Sequence, residues 1–289
     1  QQQLWSEMDY YALPENIAVV YPEGMQYSWN VGTSWESSNY DDVGFISALI
    51  DAIAENYDID LDRVYACGMS NGGYMAYELA CHLSHKIAAF GSVTGNFMLN
   101  NNQSCDQNRL IPIIDFHGTS DPIVPYYNSS DGSFSVSESI DYWIDFNALT
   151  IESSEDIPNI ITSDNTTVEK LIYSSENHTA QFVHFKINGG GHQWFSSSMG
   201  DFFTISLGYN NHDINTNTEL INFFLQYRLS DFYGITGDIN EDEELNILDV
   251  IGMANMILNS EYAMIADITA DGILNILDII VLVNLILSN

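Results

Sequence analysis

An apolar run turns into a helical pattern within the stretch Arg63-Val-Tyr-Ala-Cys-Gly-Met-Ser-Asn-Gly-Gly-Tyr-Met-Ala-Tyr77. Residues 64–69 are typical of a buried strand, and residues 73–82 follow with the periodicity of a helix. Between them lies Gly68-Met-Ser-Asn-Gly72, where the glycines permit the sharp turn that lifts a serine oxygen clear of a sheet. The pattern predicts that Ser70 is a nucleophile and that the backbone N–H of Asn71 stabilises an oxyanion.

Apolar runs and helical patterns alternate on both sides of this turn. Further strands are predicted at residues 17–21, 111–116 and 182–187, and further helices at residues 43–55, 140–146 and 218–228. Loops are predicted at residues 125–137 and 151–168, which are rich in Ser, Asn, Asp and Thr. The alternation indicates an α/β sheet domain over residues 1–230.

Two strand-end loops supply candidate partners for Ser70. Asp121 follows one predicted strand in His117-Gly-Thr-Ser-Asp121, and His192 follows another in Gly189-Gly-Gly-His192. Their order along the chain matches the order nucleophile, acid, base of serine α/β-hydrolases. We expect His192 to act as general base and Asp121 to hold its imidazole in the required tautomer. Asp115 competes for the role of acid, but it lies inside an apolar strand.

The other histidines have no clear catalytic assignment in the sequence. We interpret His117 as structural support for the turn that carries Asp121. No partner pattern is visible for His82, His85, His178, His184 and His212. Trp29 and Trp194 are candidates for lining a phenolic or carbohydrate site, although packing is an equal alternative for both.

The charge balance excludes some classes of partner. Only 6 Lys and Arg face 40 Asp and Glu, a formal net charge of −34. Nucleic acid and anionic membranes are therefore not expected as partners, because both require basic side chains. The longest apolar stretch, residues 276–287, is also too short to span a bilayer, which takes about 20 residues.

The three cysteines are too few to build a disulfide scaffold. Cys81 and Cys105 could pair if the protein is exported, and the sequence leaves that pairing open. Cys67 is interpreted as a small buried apolar residue.

Residues 237–289 contain an internal repeat and are predicted to form a second domain. The sequence Gly237-Asp-Ile-Asn-Glu-Asp-Glu-Glu-Leu-Asn-Ile-Leu-Asp249 returns 29 residues later as Ala266-Asp-Ile-Thr-Ala-Asp-Gly-Ile-Leu-Asn-Ile-Leu-Asp278. Each copy spaces its oxygen-bearing residues like an EF-hand calcium loop and leads into an apolar helix. The candidate ligands are Asp238, Asn240, Asp242, Glu244, Asn246 and Asp249, and Asp267, Thr269, Asp271, Ile273, Asn275 and Asp278, with Glu244 and Ile273 contributing backbone carbonyls. Only the second copy has a glycine, Gly272, at the sixth loop position.

The motifs of the first domain together resemble the polyhydroxybutyrate depolymerase and feruloyl esterase family. The resemblance covers about residues 16–228 and rests on Tyr21-Pro-Glu-Gly24, Ser28-Trp-Asn30, Arg63 to Tyr77, His117 to Pro125 and Gly190-Gly-His-Gln-Trp194. It implies an α/β-hydrolase that cleaves esters through an acyl-enzyme at Ser70, with Asp121 and His192 completing the triad and no cofactor for catalysis.

One part of the family pattern is missing. Members begin with further strands and a His-Gly loop that supplies a second oxyanion donor, and nothing before Ile17 resembles them. We therefore expect an N-terminally incomplete copy, with a gap beside the nucleophile strand and two unpaired sheet edges. Loss of one oxyanion donor costs about 10²–10³ in rate.

The duplicated loops resemble a type I dockerin. This resemblance implies an all-α, calcium-dependent module with two metal sites and, where a cohesin exists, attachment to a scaffold protein. A stalk that calcium merely stabilises is the alternative.

The two resemblances predict a secreted or surface-attached serine esterase acting on feruloyl or acetyl esters of polysaccharides or on polyhydroxyalkanoate-type polyesters. A calcium-dependent adhesion protein with an inactive hydrolase domain is one alternative. A serine peptidase of the same fold is another.

Overall fold

A computed structural model describes residues 2–33, 39–98, 105, 109–128, 132–232, 236–240, 242, 244–269 and 273–288. The chain divides into two compact units, Gln1–Tyr227 and Arg228–Asn289. The division lies close to the boundary expected from the change in sequence pattern.

The described residues form one sheet and several helices. The strands are β1 Tyr65–Met69, β2 Ala89–Val93, β3 Ile113–Gly118, β4 Ile151–Ile157, β5 Thr167–Ser174 and β6 Phe182–Asn188. The α-helices are α1 Gln2–Ser6, α2 Met8–Ala12, α3 Asp42–Asn56, α4 Asn71–His82, α5 Val136–Phe146, α6 Thr204–Leu207, α7 Thr216–Phe224, α8 Ile247–Asn259 and α9 Ile276–Ser288.

The sheet has the strand order β1-β2-β3-β6-β5-β4. β1, β2, β3 and β6 are parallel, and β5 and β4 extend the sheet in antiparallel pairing. Parallel strands bring their carboxyl ends to one edge of a sheet, where ligands of open α/β sheets bind. The loops that carry Ser70, Asp121 and His192 follow β1, β3 and β6, so this sheet places all three at the same edge.

The core of the first unit lies against both faces of the parallel strands. Every residue of β2 and β3 is buried, as expected for strands that are covered on both faces, and the polar residues among them include Asp115 and His117. Helix α4 buries Gly73–Cys81, and the ring of Tyr77 stacks on that of Trp143 with centroids 5.9 Å apart. Helix α5 begins with a capping box in which Ser135 and Glu138 satisfy each other's backbone N–H groups. Helix α4, which follows the nucleophile turn, is therefore packed into the core along most of its length.

The structure confirms an α/β sheet with helices but corrects several predicted elements. Residues 17–21 form no strand, because the described residues offer them no pairing partner. The predicted loop at residues 151–168 contains β4 and the start of β5, whose polar residues are held by pairing with each other. β2 was not predicted.

The expected gap beside the nucleophile strand is absent from the described sheet. β1 pairs with β2 on one side and forms the edge of a continuous six-stranded sheet. The interpretation of Cys67 as buried is also wrong, since its side chain lies on this edge strand and is exposed.

A disulfide joins Cys81, at the end of α4, to Cys105, with the two Cα atoms 4.6 Å apart. The pairing that the sequence left open is therefore present. No helix among the described residues is long and apolar enough to cross a bilayer.

The second unit has a much smaller core. Helices α8 and α9 pack around the buried residues Met253, Ala266 and Leu282. The first repeated loop leads into α8, where Asn246 and Asp249 form a capping box, and the second leads into α9.

Candidate active site

Ser70 occupies the turn between β1 and α4 in a strained backbone conformation. Its φ of 55° and ψ of −121° lie in a region that non-glycine residues rarely adopt and that costs about 1–3 kcal/mol. Its N–H donates to the carbonyl of Val93 at 2.9 Å, which anchors the turn to β2. A Cβ on Gly68 would collide with the backbone of Gly72, so the strand and the helix approach closely only because Gly68 has no side chain. This is the geometry that a nucleophile elbow requires.

Asn71 is the first residue of α4, and its backbone N–H therefore has no acceptor within the helix. Its side chain is engaged elsewhere: Oδ1 accepts from the N–H of Trp29 at 2.7 Å and Nδ2 donates to the carbonyl of Trp29 at 3.1 Å. The half-buried Trp29 thus lies beside the nucleophile turn, with its ring 6.5 Å from that of Phe45. The position of the Asn71 N–H suits an oxyanion donor, and that role stays a prediction.

Asp121 and His192 meet across the loops that follow β3 and β6. His192 Nδ1 lies 2.8 Å from Asp121 Oδ2, and both side chains are almost fully buried. An ionised carboxylate only accepts hydrogen bonds, so Nδ1 carries the proton and Nε2 is left as the basic nitrogen. The other oxygen, Asp121 Oδ1, accepts from the N–H groups of Ile123 and Val124, each at 2.8 Å. The carboxylate is therefore fixed on both sides.

The close approach of the two loops depends on Gly118. A Cβ at this position would collide with the backbone of Gly190 and Gly191. The backbone N–H of His192 donates to the carbonyl of Leu207 at 2.6 Å, so the last residue of α6 supports the histidine loop. Among the described residues no hydrogen bond joins the Ser70 hydroxyl to His192, and such contacts often tighten only when substrate binds.

His117 supports the turn that carries Asp121. Its Nε2 donates to the carbonyl of Val124 at 2.9 Å and lies 3.5 Å from Asp121 Oδ2. Complete burial lowers the pKa of His117 against the opposing influence of Asp115 and Asp121, which keeps the ring neutral. The buried Nδ1 has no hydrogen-bond partner within the part of the chain that the structure describes.

A second buried aspartate–histidine pair lies behind the first. His184 Nδ1 is 2.8 Å from Asp115 Oδ2, and His184 Nε2 is 2.8 Å from the hydroxyl of Tyr126. His184 thus has partners that the sequence did not reveal, because they come from different strands and loops. Asp115 is enclosed within β3 and bonded to His184, whereas Asp121 lies in the loop that faces His192.

Two further histidines also have acidic neighbours that sequence reasoning missed. His212 Nε2 lies 2.9 Å from Asp201 Oδ1, and His82 lies 3.9 Å from Glu78 on the preceding helical turn.

Trp194 does not line the site. Its side chain is buried, and its Nε1 donates to Asn217 Oδ1 at 3.0 Å. The structure therefore places Trp194 in the core behind the His192 loop, where it is a packing residue.

The repeated loops of the second unit gather oxygen atoms around their own backbone. In the first loop, Asp238 Oδ1 and Asn240 Oδ1 both accept from the N–H of Asp242, at 3.2 and 3.3 Å. In the second loop, Asp278 Oδ1 accepts from the N–H and hydroxyl of Thr269 at 3.0 and 2.9 Å. Asp271 lies outside the described residues.

The charges of this unit fit a bound cation. Four carboxylates are buried, those of Asp238, Asp249, Asp267 and Asp278. The sequence beyond Arg228 contains no Lys, Arg or His that could balance them. The described residues contain no cluster of three or more His, Cys, Asp and Glu side chains suited to a metal, but calcium loops also use Asn, Thr and backbone oxygens. The donor set thus suits calcium, a hard cation.

Comparisons with known proteins agree with the geometry of the first unit. Residues 33–150 match the family model described as Phospholipase/Carboxylesterase. The bifunctional acetylxylan esterase/xylanase XynS20E of Neocallimastix patriciarum is 34% identical over 113 residues, which are 39% of this chain and 16% of that protein. The probable feruloyl esterase C of Aspergillus niger is 29% identical over 109 residues, 37% of each chain.

A solved structure, the acetyl xylan esterase from Aspergillus awamori, superposes with a TM-score of 0.37 at 14% identity, over 57% of this chain and 66% of that one. The chain spans 16% and 37% of the length of the two curated relatives. The family match and the two curated relatives support an α/β-hydrolase of the esterase type in the first unit.

Proposed function

We propose that the first unit is a serine carboxylic ester hydrolase that removes feruloyl or acetyl groups from polysaccharides. The observation that carries this proposal is the buried hydrogen bond of 2.8 Å between His192 and Asp121. It lies at the same sheet edge as Ser70, whose strained turn presents its hydroxyl.

Acylation follows from the roles of these groups. Ser70 Oγ attacks the ester carbonyl carbon while His192 Nε2 takes the hydroxyl proton. Asp121 stabilises the resulting imidazolium, and the Asn71 N–H donates to the oxyanion. When the C–O bond to the alcohol breaks, His192 returns the proton to the departing oxygen, which leaves an acyl ester on Ser70.

Deacylation repeats the sequence with water. His192 Nε2 accepts a proton from water as its oxygen attacks the acyl carbon, and the proton then passes to Ser70 Oγ as the acyl bond breaks. The products are a free acid and the original enzyme. All proton transfers thus use one histidine that is held in one tautomer.

The names of the relatives favour polysaccharide esters over polyesters, because they are esterases named for acetylxylan and ferulic acid. The acidic chain, with 40 Asp and Glu, also favours an uncharged substrate. Polyhydroxyalkanoate-type polyesters remain in the test as an alternative substrate.

Hydrolysis of a panel of acetyl, feruloyl and hydroxybutyrate esters, measured with calcium present, tests the proposal. Wild type should cleave acetyl or feruloyl esters, and Ser70→Ala should lose this activity by about 10⁴-fold or more. Ser196→Ala is a suitable control, since Ser196 lies in another loop with positive φ. Equal activity of Ser70→Ala and wild type would overturn the serine mechanism. A folded wild-type protein that cleaves no ester would instead favour the adhesion alternative.

We propose that the second unit binds two calcium ions through its repeated loops. The first ion would be held by the side chains of Asp238, Asn240, Asp242, Asn246 and Asp249 and the carbonyl of Glu244. The second would be held by Asp267, Thr269, Asp271, Asn275 and Asp278 and the carbonyl of Ile273. Calcium would neutralise carboxylates that the fold buries. We further propose that this unit attaches the enzyme to a cohesin-type protein, and that the enzyme is secreted, in keeping with its disulfide.

A further inference from the structure

An open pocket of about 310 Å³ lies beside the candidate active site. Its lining residues are Ile161, Ser163, Asp164, Asp201, Thr204, Tyr209, Asn210 and His212. The volume is at the lower end of the range of about 300–1,000 Å³ that is typical of small-ligand sites. No step of the ester hydrolysis derived above uses these side chains.

The sheet places this pocket at the same edge as His192. β5 runs antiparallel to β6, and its first residue, Thr167, pairs with Asn188 at the end of β6. Residues 161–164, which precede β5, therefore lie at the edge where the catalytic loops emerge.

The opposite wall of the pocket is attached directly to the His192 loop. Gly191 donates its N–H to the carbonyl of Tyr209 at 2.9 Å, and Gly190 forms a parallel bridge with Tyr209. A group bound against Tyr209 would thus lie next to the catalytic histidine.

The polar groups of the pocket are held in place by their own hydrogen bonds. Asp201 Oδ1 accepts from His212 Nε2 and from Asn210 Nδ2, both at 2.9 Å. Asp164 accepts from the backbone N–H of His212 at 3.0 Å and of Thr166 at 2.9 Å. Each carboxylate is therefore oriented before a ligand arrives, which lowers the entropic cost of binding.

The composition of the wall suits a sugar. Carboxylate, amide and hydroxyl groups can bond several hydroxyls of a neutral ligand, and the half-exposed ring of Tyr209 offers an apolar face for sugar C–H groups. A negatively charged ligand would be repelled by Asp164 and Asp201, which both line the pocket.

We propose that this pocket is a subsite for a neutral sugar residue of the polysaccharide that carries the ester. The inference rests on the proposed esterase function and specifies how the non-reacting part of the substrate binds. Binding here holds the carbohydrate beside His192 while the acyl group reaches Ser70, and it explains why a polar pocket is built onto the histidine loop.

Kinetics with paired substrates test the subsite. Wild type, Asp201→Asn and Tyr209→Ala are assayed with methyl ferulate and with a feruloylated neutral xylo-oligosaccharide. Asp58→Asn is the control, because Asp58 is an exposed loop residue that does not line the pocket. We expect both pocket variants to raise the ratio of KM for the oligosaccharide ester to KM for the methyl ester about tenfold, as for one lost polar contact. Asp58→Asn should leave the ratio unchanged, and thermal unfolding checks that all variants fold.

The outcomes separate the subsite from the esterase proposal. Activity on methyl ferulate with an unchanged KM ratio in both pocket variants would overturn the subsite and leave the esterase intact. If wild type cleaves neither ester, binding of unesterified xylotetraose to Ser70→Ala decides between the outcomes. Binding that becomes about tenfold weaker when Asp201→Asn is added to Ser70→Ala supports the subsite. Absence of binding to Ser70→Ala overturns it.

Discussion

At the scale of single residues, the site contains two buried aspartate–histidine pairs with the same separation of 2.8 Å. Their positions distinguish them. Asp115 lies within β3, and its partner His184 is completely buried and bonded to Tyr126. Asp121 lies in a loop, and its partner follows β6 at the edge where Ser70 emerges. We therefore propose that the Asp121–His192 pair takes part in catalysis and that the Asp115–His184 pair supports the loop that carries Asp121.

Replacing each aspartate separates these roles. Asp121→Asn should lower kcat by about 10³–10⁴ with little change in KM, because the amide favours the wrong tautomer of His192. Asp115→Asn should leave kcat within about tenfold but lower the free energy of unfolding by about 3 kcal/mol, since a buried pair is broken. Steady-state kinetics measures kcat and KM of the two variants, and denaturant unfolding measures their stability. A larger loss of kcat in Asp115→Asn than in Asp121→Asn would reverse the assignment.

His117 makes folding stability depend on pH. Burial lowers its pKa in the folded state, so below the unfolded value of about 6.5 the unfolded chain binds more protons. The stability that neutral His117 contributes is present above that pH and is lost as pH falls toward the folded pKa. His117→Gln, which keeps a donor for the carbonyl of Val124, should therefore show a flatter loss of unfolding free energy between pH 7 and pH 5. Parallel curves for variant and wild type would contradict this role.

At the scale of elements, the junction of β1 and α4 depends on one missing side chain. Gly68 faces the backbone of Gly72 at contact distance, whereas a Cβ on Gly72 would meet nothing within 4 Å. The two glycines of the same motif therefore have different physical roles, which the motif alone does not reveal.

The two positions form a matched pair for mutation. Gly68→Ala should lower the unfolding free energy by about 1–3 kcal/mol through overpacking and should displace Ser70, with a loss of kcat. Gly72→Ala, inside a helix, should leave stability equal or higher by up to about 1 kcal/mol. Denaturant unfolding of both variants measures the difference, and equal destabilisation would show that the contact at Gly68 does not constrain the elbow.

At the scale of the whole molecule, the two units have different sources of stability. The first has a large core and a disulfide between Cys81 and Cys105. Among its described residues, the second buries only three apolar side chains, Met253, Ala266 and Leu282, and also buries four carboxylates. Units with so small a core usually need a metal or other crosslink.

Chelation should therefore affect the units separately. With calcium at 100 times its Kd, a site stabilises the folded unit by about 2.7 kcal/mol relative to the metal-free state. Calorimetry of the full chain should show that a chelator lowers or removes one transition and leaves the transition of the first unit in place. Asp249→Asn and Asp278→Asn should reduce the calcium response. An unchanged thermogram after chelation would contradict the calcium proposal.

The sequence by itself determined the features that depend on local pattern. The elbow around Ser70, helices α3 and α4, and the loops that carry Asp121 and His192 all follow from short-range periodicity and glycine placement. The spacing of oxygen-bearing residues in the repeats is equally local. The repeats can therefore be interpreted as calcium loops without knowledge of the tertiary structure.

Only the tertiary structure decided what depends on distant partners. β4, Ile151–Ile157, is polar between its two terminal isoleucines and is a strand because β5 pairs with it. Residues 17–21 are apolar but pair with no strand among the described residues. Other features likewise depend on residues that are far apart in the chain. They are the pairing of Asp115 with His184, the edge position of β1, the Cys81–Cys105 disulfide and the pocket beside Tyr209. Hydrogen bonds between strands and contacts between loops form only after the chain has folded, so local sequence patterns carry little record of them.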